Sequence, residues 1–183
     1  MRPIIFLDFD DVLAVHREHN SAAVQSAFKA NTLDNVEELW DGLFHYSARM
    51  NLRTLHDEFF PEYVISSSWT LHFDQAQIIE VLTRTDLAFV AENLHPEWRT
   101  PRFEGSYRLT EIEAWLDEQN LINARPFVIL DDELSGQSLP GSHLEDQAVL
   151  CNADAGFLHP QLRAAQATLR SQLSSPPNMR ETR

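Results

Sequence analysis

The segment Ile4-Ile5-Phe6-Leu7-Asp8-Phe9-Asp10-Asp11-Val12-Leu13 begins as an apolar run and turns abruptly into carboxylates. Such a run reads as a strand buried on both faces, as in parallel sheets. Asp8, Asp10 and Asp11 then bring negative charge to the strand's carboxyl end, where mutual repulsion and desolvation both cost free energy. A hard divalent cation answers that cost, because magnesium takes oxygen ligands from one or two carboxylates, waters and substrate phosphates. Asp8 and Asp10 are two residues apart, so both can converge on one ion where the chain turns.

Two further segments end in the same way. Tyr63-Val64-Ile65 runs into Ser66-Ser67-Ser68-Trp69, and Phe127-Val128-Ile129-Leu130 runs into Asp131-Asp132-Glu133. Short β-rich runs that stop at small polar or acidic residues deliver side chains to the carboxyl edge of an open α/β sheet. Three strands ending alike imply one shared site.

These segments resemble the motifs of the haloacid dehalogenase-like (HAD) hydrolase superfamily, in the same order, over roughly residues 3 to 165. Asp8-Phe9-Asp10-Asp11-Val12-Leu13 is similar to its first motif, Ser66 or Ser67 to its second, Arg108 to its third and Asp131-Asp132 to its fourth. Many members carry Gly where this chain has Asp11. Ser67-Ser68-Trp69, Trp98-Arg99-Thr100 and the segment from Arg108 to Leu116 also look similar to small, nearly capless members, among them HAD domains of multi-enzyme RNA repair proteins.

The resemblance implies a magnesium-dependent phosphatase. Asp8 would attack phosphorus to form an aspartyl-phosphate that water later hydrolyses, dividing one hard displacement into two easier ones. Asp10 would protonate the leaving oxygen and then take a proton from the attacking water. Dehalogenating relatives lack an acid there, so Asp10 argues for phosphoryl transfer. The metal set would be Asp8, the Asp10 main-chain carbonyl, and Asp131 or Asp132. Arg108 would grip a phosphate oxygen, with Arg102 a competitor, and Ser66 or Ser67 would donate to another. Ser66 directly follows the apolar run, as Asp8 and Asp131 do, which favours it.

A length of 183 residues suits one domain with a sizeable core, and a net charge of −14 repels nucleic-acid backbones and anionic membranes at long range. A phosphorylated small molecule is therefore the expected partner ahead of a polymer, with no membrane partner. The single cysteine, Cys151, allows no internal disulfide and favours a reducing compartment. The apolar run before Asp8 is too short for a signal peptide, which makes a cytoplasmic location the expectation.

The scaffold expected around these residues is a doubly wound, Rossmann-like parallel α/β sheet with a minimal cap. Residues 1–173 are expected to form one domain, residues 14–46 a flap or small cap region, and residues 174–183 a polar, disordered tail. Helices are expected around Val36 to Leu43, Leu52 to Phe59 and Ile78 to Leu82, the last capped by Asp74. Thr110 and Glu113 predict a capping box before Ile112 and Trp115. Leu87 to Val90 is a strand candidate, followed by a loop with His95, Pro96, Trp98 and Arg102. Ala148 to Cys151 is the last strand, and Pro160 opens a helix whose inner face is Leu162, Ala165, Leu169 and Leu173. Two other classes of function compete: a non-catalytic domain of this fold that binds a partner or metal, and a phosphatase acting on nucleotides or nucleic-acid ends.

Overall fold

The computed structural model describes residues 1–15, 18–121 and 125–174. His16 and Arg17 of the expected flap, and 175–183 of the expected tail, lie outside the described residues.

Five parallel strands form the sheet in the order β3-β2-β1-β4-β5. They are β1 (Ile4–Leu7), β2 (Glu62–Ile65), β3 (Leu94–Arg99), β4 (Phe127–Asp132) and β5 (Ala148–Cys151). All four pairings are parallel. The central β1 is buried along its whole length, as a continuous Ile-Ile-Phe-Leu run demands. Leu7 is in register with Ile65 on one side and Leu130 on the other, so the residues that follow, Asp8, Ser66 and Asp131, come at one level along the sheet.

Alternation divides the core between the two faces. Ile5, Leu7, Ile65, Val128 and Leu130 join the larger cluster, with residues of α1 (Ser21–Ala30), α2 (Glu37–Leu43), α3 (Tyr46–Phe59), α4 (Gln75–Arg84) and α7 (His159–Ser174). Ile4, Phe6, Val64, Phe127 and Ile129 pack against Ile112, Trp115 and Leu116 of α6 (Arg108–Glu118). Phe6 meets Trp115 edge-on at 5.3 Å, a geometry worth about 0.5–1.5 kcal/mol beyond its buried area. Helices on both faces make this the expected doubly wound α/β fold. The 14–46 region contributes Val24, Ala27, Leu39, Trp40 and Leu43 to the same core as the sheet.

Several boundaries differ from those expected of the sequence. Leu87 to Val90 is not a strand. Asp86 takes φ 60°, Leu87 N–H returns to the Leu82 carbonyl at 2.8 Å to end α4, and the chain continues as the short helix α5 (Ala88–Ala91). A short apolar run has no periodicity to separate strand from helix. The strand is Leu94–Arg99, within the expected loop; Pro96 is tolerated there because β3 lies on the sheet edge. Helix α6 starts at Arg108, so Thr110 is its third residue, accepting from Tyr107 N–H at 3.1 Å. Asp74 does cap α4, in a reciprocal box with Gln77. Helix α7 starts at His159 and runs through Ser174, and Leu173 faces solvent. No helix among the described residues is long and apolar enough to cross a membrane.

Candidate active site

Strand order reverses at β1, since β2 and β3 lie to one side and β4 and β5 to the other. The carboxyl ends of β1 and β4 flank this switch point, where open α/β sheets bind ligands. Asp8 follows β1, and Asp131 and Asp132 end β4. Carboxylate oxygens of these three buried residues lie within 4.8 Å of one another.

Arg108, the first residue of α6, reaches into this cluster although it is itself buried. Its Nη2 donates to Asp8 Oδ2 at 3.0 Å, its Nε to Asp131 Oδ2, and its Nη1 to Glu111 Oε2 at 3.2 Å. Arg102 lies 3.7 Å from Glu111, so Arg108 is the arginine at Asp8. Glu111 was not singled out from the sequence; an acid three residues after Arg108, on its side of the helix, was the available signal.

The charges do not balance locally. Asp8, Asp131 and Glu111 contact the Arg108 guanidinium and Asp132 lies beside Asp8 and Asp131, with Arg102 at the margin. Burial pushes the Asp8 carboxyl above its ordinary value, opposed by Arg108, the Ser67 hydroxyl and the Phe9 N–H, while nearby Asp10 raises it further. Burial and then negative Asp8 drive Asp131 well above the carboxylate range, with Arg108 opposing. Burial works against the Arg108 charge, but Asp8 and Asp131 outweigh it and hold the guanidinium protonated. Buried oxygen donors with excess negative charge suit a hard divalent cation. HAD domains typically use one, and the acidic cluster is present here.

Ser66 and Ser67 separate at this point. The Ser67 hydroxyl bonds to Asp8, whereas the Ser66 hydroxyl is buried and has no hydrogen-bond partner among the described residues. The serine at Asp8 is thus Ser67, against the expected preference for Ser66. Ser66 still follows the alternation of β2, its N–H donating to the Leu7 carbonyl at 3.0 Å, but at Ser67 the chain turns into the 3-10 segment Ser68–Leu71, which the Ser67 hydroxyl caps by accepting from Trp69 N–H at 3.4 Å.

Asp10 stands apart from the three clustered carboxylates. Its Oδ1 accepts from the Trp69 indole N–H at 2.9 Å and its Oδ2 from the Ser68 hydroxyl at 3.2 Å. The loop holding it is tight: Leu13 and Ala14 N–H groups both return to the Phe9 carbonyl, at 2.9 and 2.8 Å. Asp11 takes φ 57°, a left-handed conformation that glycine adopts without steric cost and Asp tolerates. That accounts for an Asp standing where many members of the superfamily carry Gly.

No curated protein and no solved structure matched the chain. A family model described as "HAD domain in Swiss Army Knife RNA repair proteins" matches residues 4–162. With the parallel sheet and the acidic cluster at its switch point, the chain belongs to this family of HAD domains and, at the superfamily level, to the phosphatase-type hydrolases.

Proposed function

We propose that the protein is a magnesium-dependent phosphomonoesterase that works through an aspartyl-phosphate on Asp8. The observation carrying this reading is that Arg108 and the Ser67 hydroxyl both contact the Asp8 carboxylate inside a buried acidic cluster. A phosphoryl group brought against Asp8 would meet the donors that now serve the carboxylate. Arg108 presents a planar fork suited to two phosphate oxygens, and Ser67 supplies a hydroxyl donor.

Asp8, Asp131 and Asp132 would hold the magnesium ion, with the Asp10 main-chain carbonyl as the fourth protein ligand that the superfamily resemblance implies. Bound there, the ion shields the negative charge of nucleophile and phosphate and orients the phosphoryl group. Asp131 is oriented by Arg108 and by the Asp132 N–H at 2.9 Å; Asp132 Oδ1 accepts from Leu134 and Ser135 N–H at 2.7 and 3.0 Å. Both carboxylates are thus fixed in place before any ligand arrives. Asp8 attacks phosphorus, Asp10 gives its proton to the leaving oxygen, and Asp10 then accepts a proton from the water that cleaves the acyl phosphate. Asp8, Asp10, Ser67, Arg108 and the Asp131-Asp132 pair are all present, which favours an enzyme over a binding-only domain.

A second reading, a phosphatase of nucleotides or nucleic-acid ends, draws on the family description and on two exposed aromatics. Phe103 and Tyr107 are 53% and 64% exposed in the loop leading into Arg108, where flat rings suit stacking on a base. The net charge of −14 favours a mononucleotide over a long polymer.

Hydrolysis of an aryl phosphate by purified protein, with magnesium or with chelator, tests the reading. Turnover that requires magnesium and disappears in Asp8→Asn is expected. Wild-type protein that is folded yet inert toward aryl, sugar and nucleotide phosphates would overturn it.

A further inference from the structure

Asp10 offers two oxygens, and the structure gives each a different kind of partner. Oδ1 faces the Trp69 indole N–H at 2.9 Å, and Oδ2 faces the Ser68 hydroxyl at 3.2 Å. An indole N–H only donates, whereas a hydroxyl donates or accepts. The indole has no room to turn away. Trp69 is fully buried, edge-on to Phe9 at 5.4 Å and flanked by Phe73 at 5.5 Å and Phe44 at 6.0 Å. Phe9 lies between Asp8 and Asp10 in the chain, so one aromatic cluster fixes both the loop and the indole that reaches across to it.

We propose that Trp69 is a positioning residue that assigns the two oxygens of Asp10 different tasks, with Ser68 as its adaptable partner. Oδ1 stays an acceptor throughout, because a proton there would point at the indole N–H. Oδ2 carries the proton that is exchanged, and the Ser68 hydroxyl rotates from donor to acceptor as that proton comes and goes. This inference rests on the phosphatase reading above and extends it to residues outside the acidic cluster.

The atoms balance in each half of the reaction. In the first, an Asp8 oxygen bonds to phosphorus, the bond from phosphorus to the leaving oxygen breaks, and its electron pair takes the Oδ2 proton, releasing an alcohol. In the second, water oxygen bonds to phosphorus, its proton passes to Oδ2, and the bond from phosphorus to Asp8 breaks to release phosphate. The arrangement matters most for leaving groups that cannot depart as anions, such as the alkoxides of sugars and other alcohols. It matters least for nitrophenolates.

The test compares first-turnover rates on an alkyl phosphate and on dinitrophenyl phosphate, both with magnesium. Asp10→Asn is expected to lose about 10²–10⁴-fold on the alkyl ester. Trp69→Phe keeps a ring in the aromatic cluster but removes the donor; it is expected to lose roughly tenfold in kcat on the alkyl ester, the worth of a hydrogen bond to a charged group. Its KM should stay within about twofold, and its burst on dinitrophenyl phosphate should be nearly unchanged. Ser68→Ala, at a partly exposed position, should show the same selectivity with a smaller loss and retains the test if Trp69→Phe folds poorly. Equal losses on both substrates, or none on either, would overturn the positioning role while leaving the phosphatase reading intact. A wild-type enzyme inert toward both would overturn the two together.

Discussion

Arg108 and Asp8 are a hundred residues apart in sequence and 3.0 Å apart in space, Nη2 to Oδ2, and both are buried. The same guanidinium serves Asp131 and Glu111, so a single cation holds together the ends of β1 and β4 and the first turn of α6. Removing one member of a buried ion cluster strands the others. Arg108→Ala is therefore expected to lose about 3–5 kcal/mol of stability in urea unfolding. Arg108→Lys keeps the charge but cannot make three directed contacts, and should fall between. A loss below about 1 kcal/mol for Arg108→Ala would show that the cluster is not held by this cation.

The carboxylate trio predicts a metal-linked stability. Saturating magnesium should raise the melting temperature, by the equivalent of about 2.7 kcal/mol at a hundredfold excess over Kd. Asp131→Asn and Asp132→Asn should each shrink that shift, because each removes an oxygen ligand and a charge. An undiminished shift in both variants would place the ion elsewhere.

Gly156 supports the nucleophile loop from outside. It sits at φ +74°, and a Cβ there would lie 2.8 Å from both the Val12 carbonyl oxygen and Val15 Cγ1. Phe157 N–H donates to the same Val12 carbonyl at 2.9 Å. Gly156→Ala should cost about 1–3 kcal/mol and lower kcat, since the clash presses on the loop that carries Asp10. Gly105→Ala is the control: its φ is +73°, but a Cβ meets nothing within 4 Å, so only the backbone cost of about 1 kcal/mol is expected.

His56 gives a pH dependence whose sign can be worked out. Its ring packs against both Tyr63 and Phe89, and burial lowers its pKa below the ordinary 6.5, helped by Arg53 and Arg2 and opposed by Asp57. The unfolded chain then binds a proton more readily than the folded one, so this group makes stability rise with pH. The contribution is complete above about pH 6.5 and is lost as pH falls below it. Asp8 and Asp131, raised by burial, act in the opposite direction, so the comparison must be made between variants. Between pH 7 and pH 5, wild type should lose more melting temperature than His56→Gln; parallel curves would contradict this.

The two acidic ends of the sheet were legible in the sequence because a β-rich apolar run that stops at carboxylates must leave them at a strand end, where a counter-charge has to meet them. Asp8, Arg108, Asp131 and Asp132 lie together at that edge of the sheet. What stayed hidden depended on turns and edges. Leu94–Arg99 contains Pro96 and polar residues because an edge strand need not be apolar on both faces, so it did not read as β structure. The choice between Ser66 and Ser67 turned on where β2 ends and the 3-10 turn begins, a matter of one residue. Trp69 looked like a core aromatic, and it is one; its bond to Asp10 required knowing that the β2 loop folds across the β1 loop.

A covalent phosphoryl group on Asp8 is the central claim. Protein mixed with magnesium and dinitrophenyl phosphate, quenched in acid within the first turnover and digested, can be read peptide by peptide in a mass spectrometer. Asp10→Asn, slowed in hydrolysing the intermediate, should enrich it. One added phosphoryl group is expected on the peptide containing Asp8, absent in Asp8→Asn. Steady turnover with no phosphoryl group on that peptide, or with one on another residue, would contradict it.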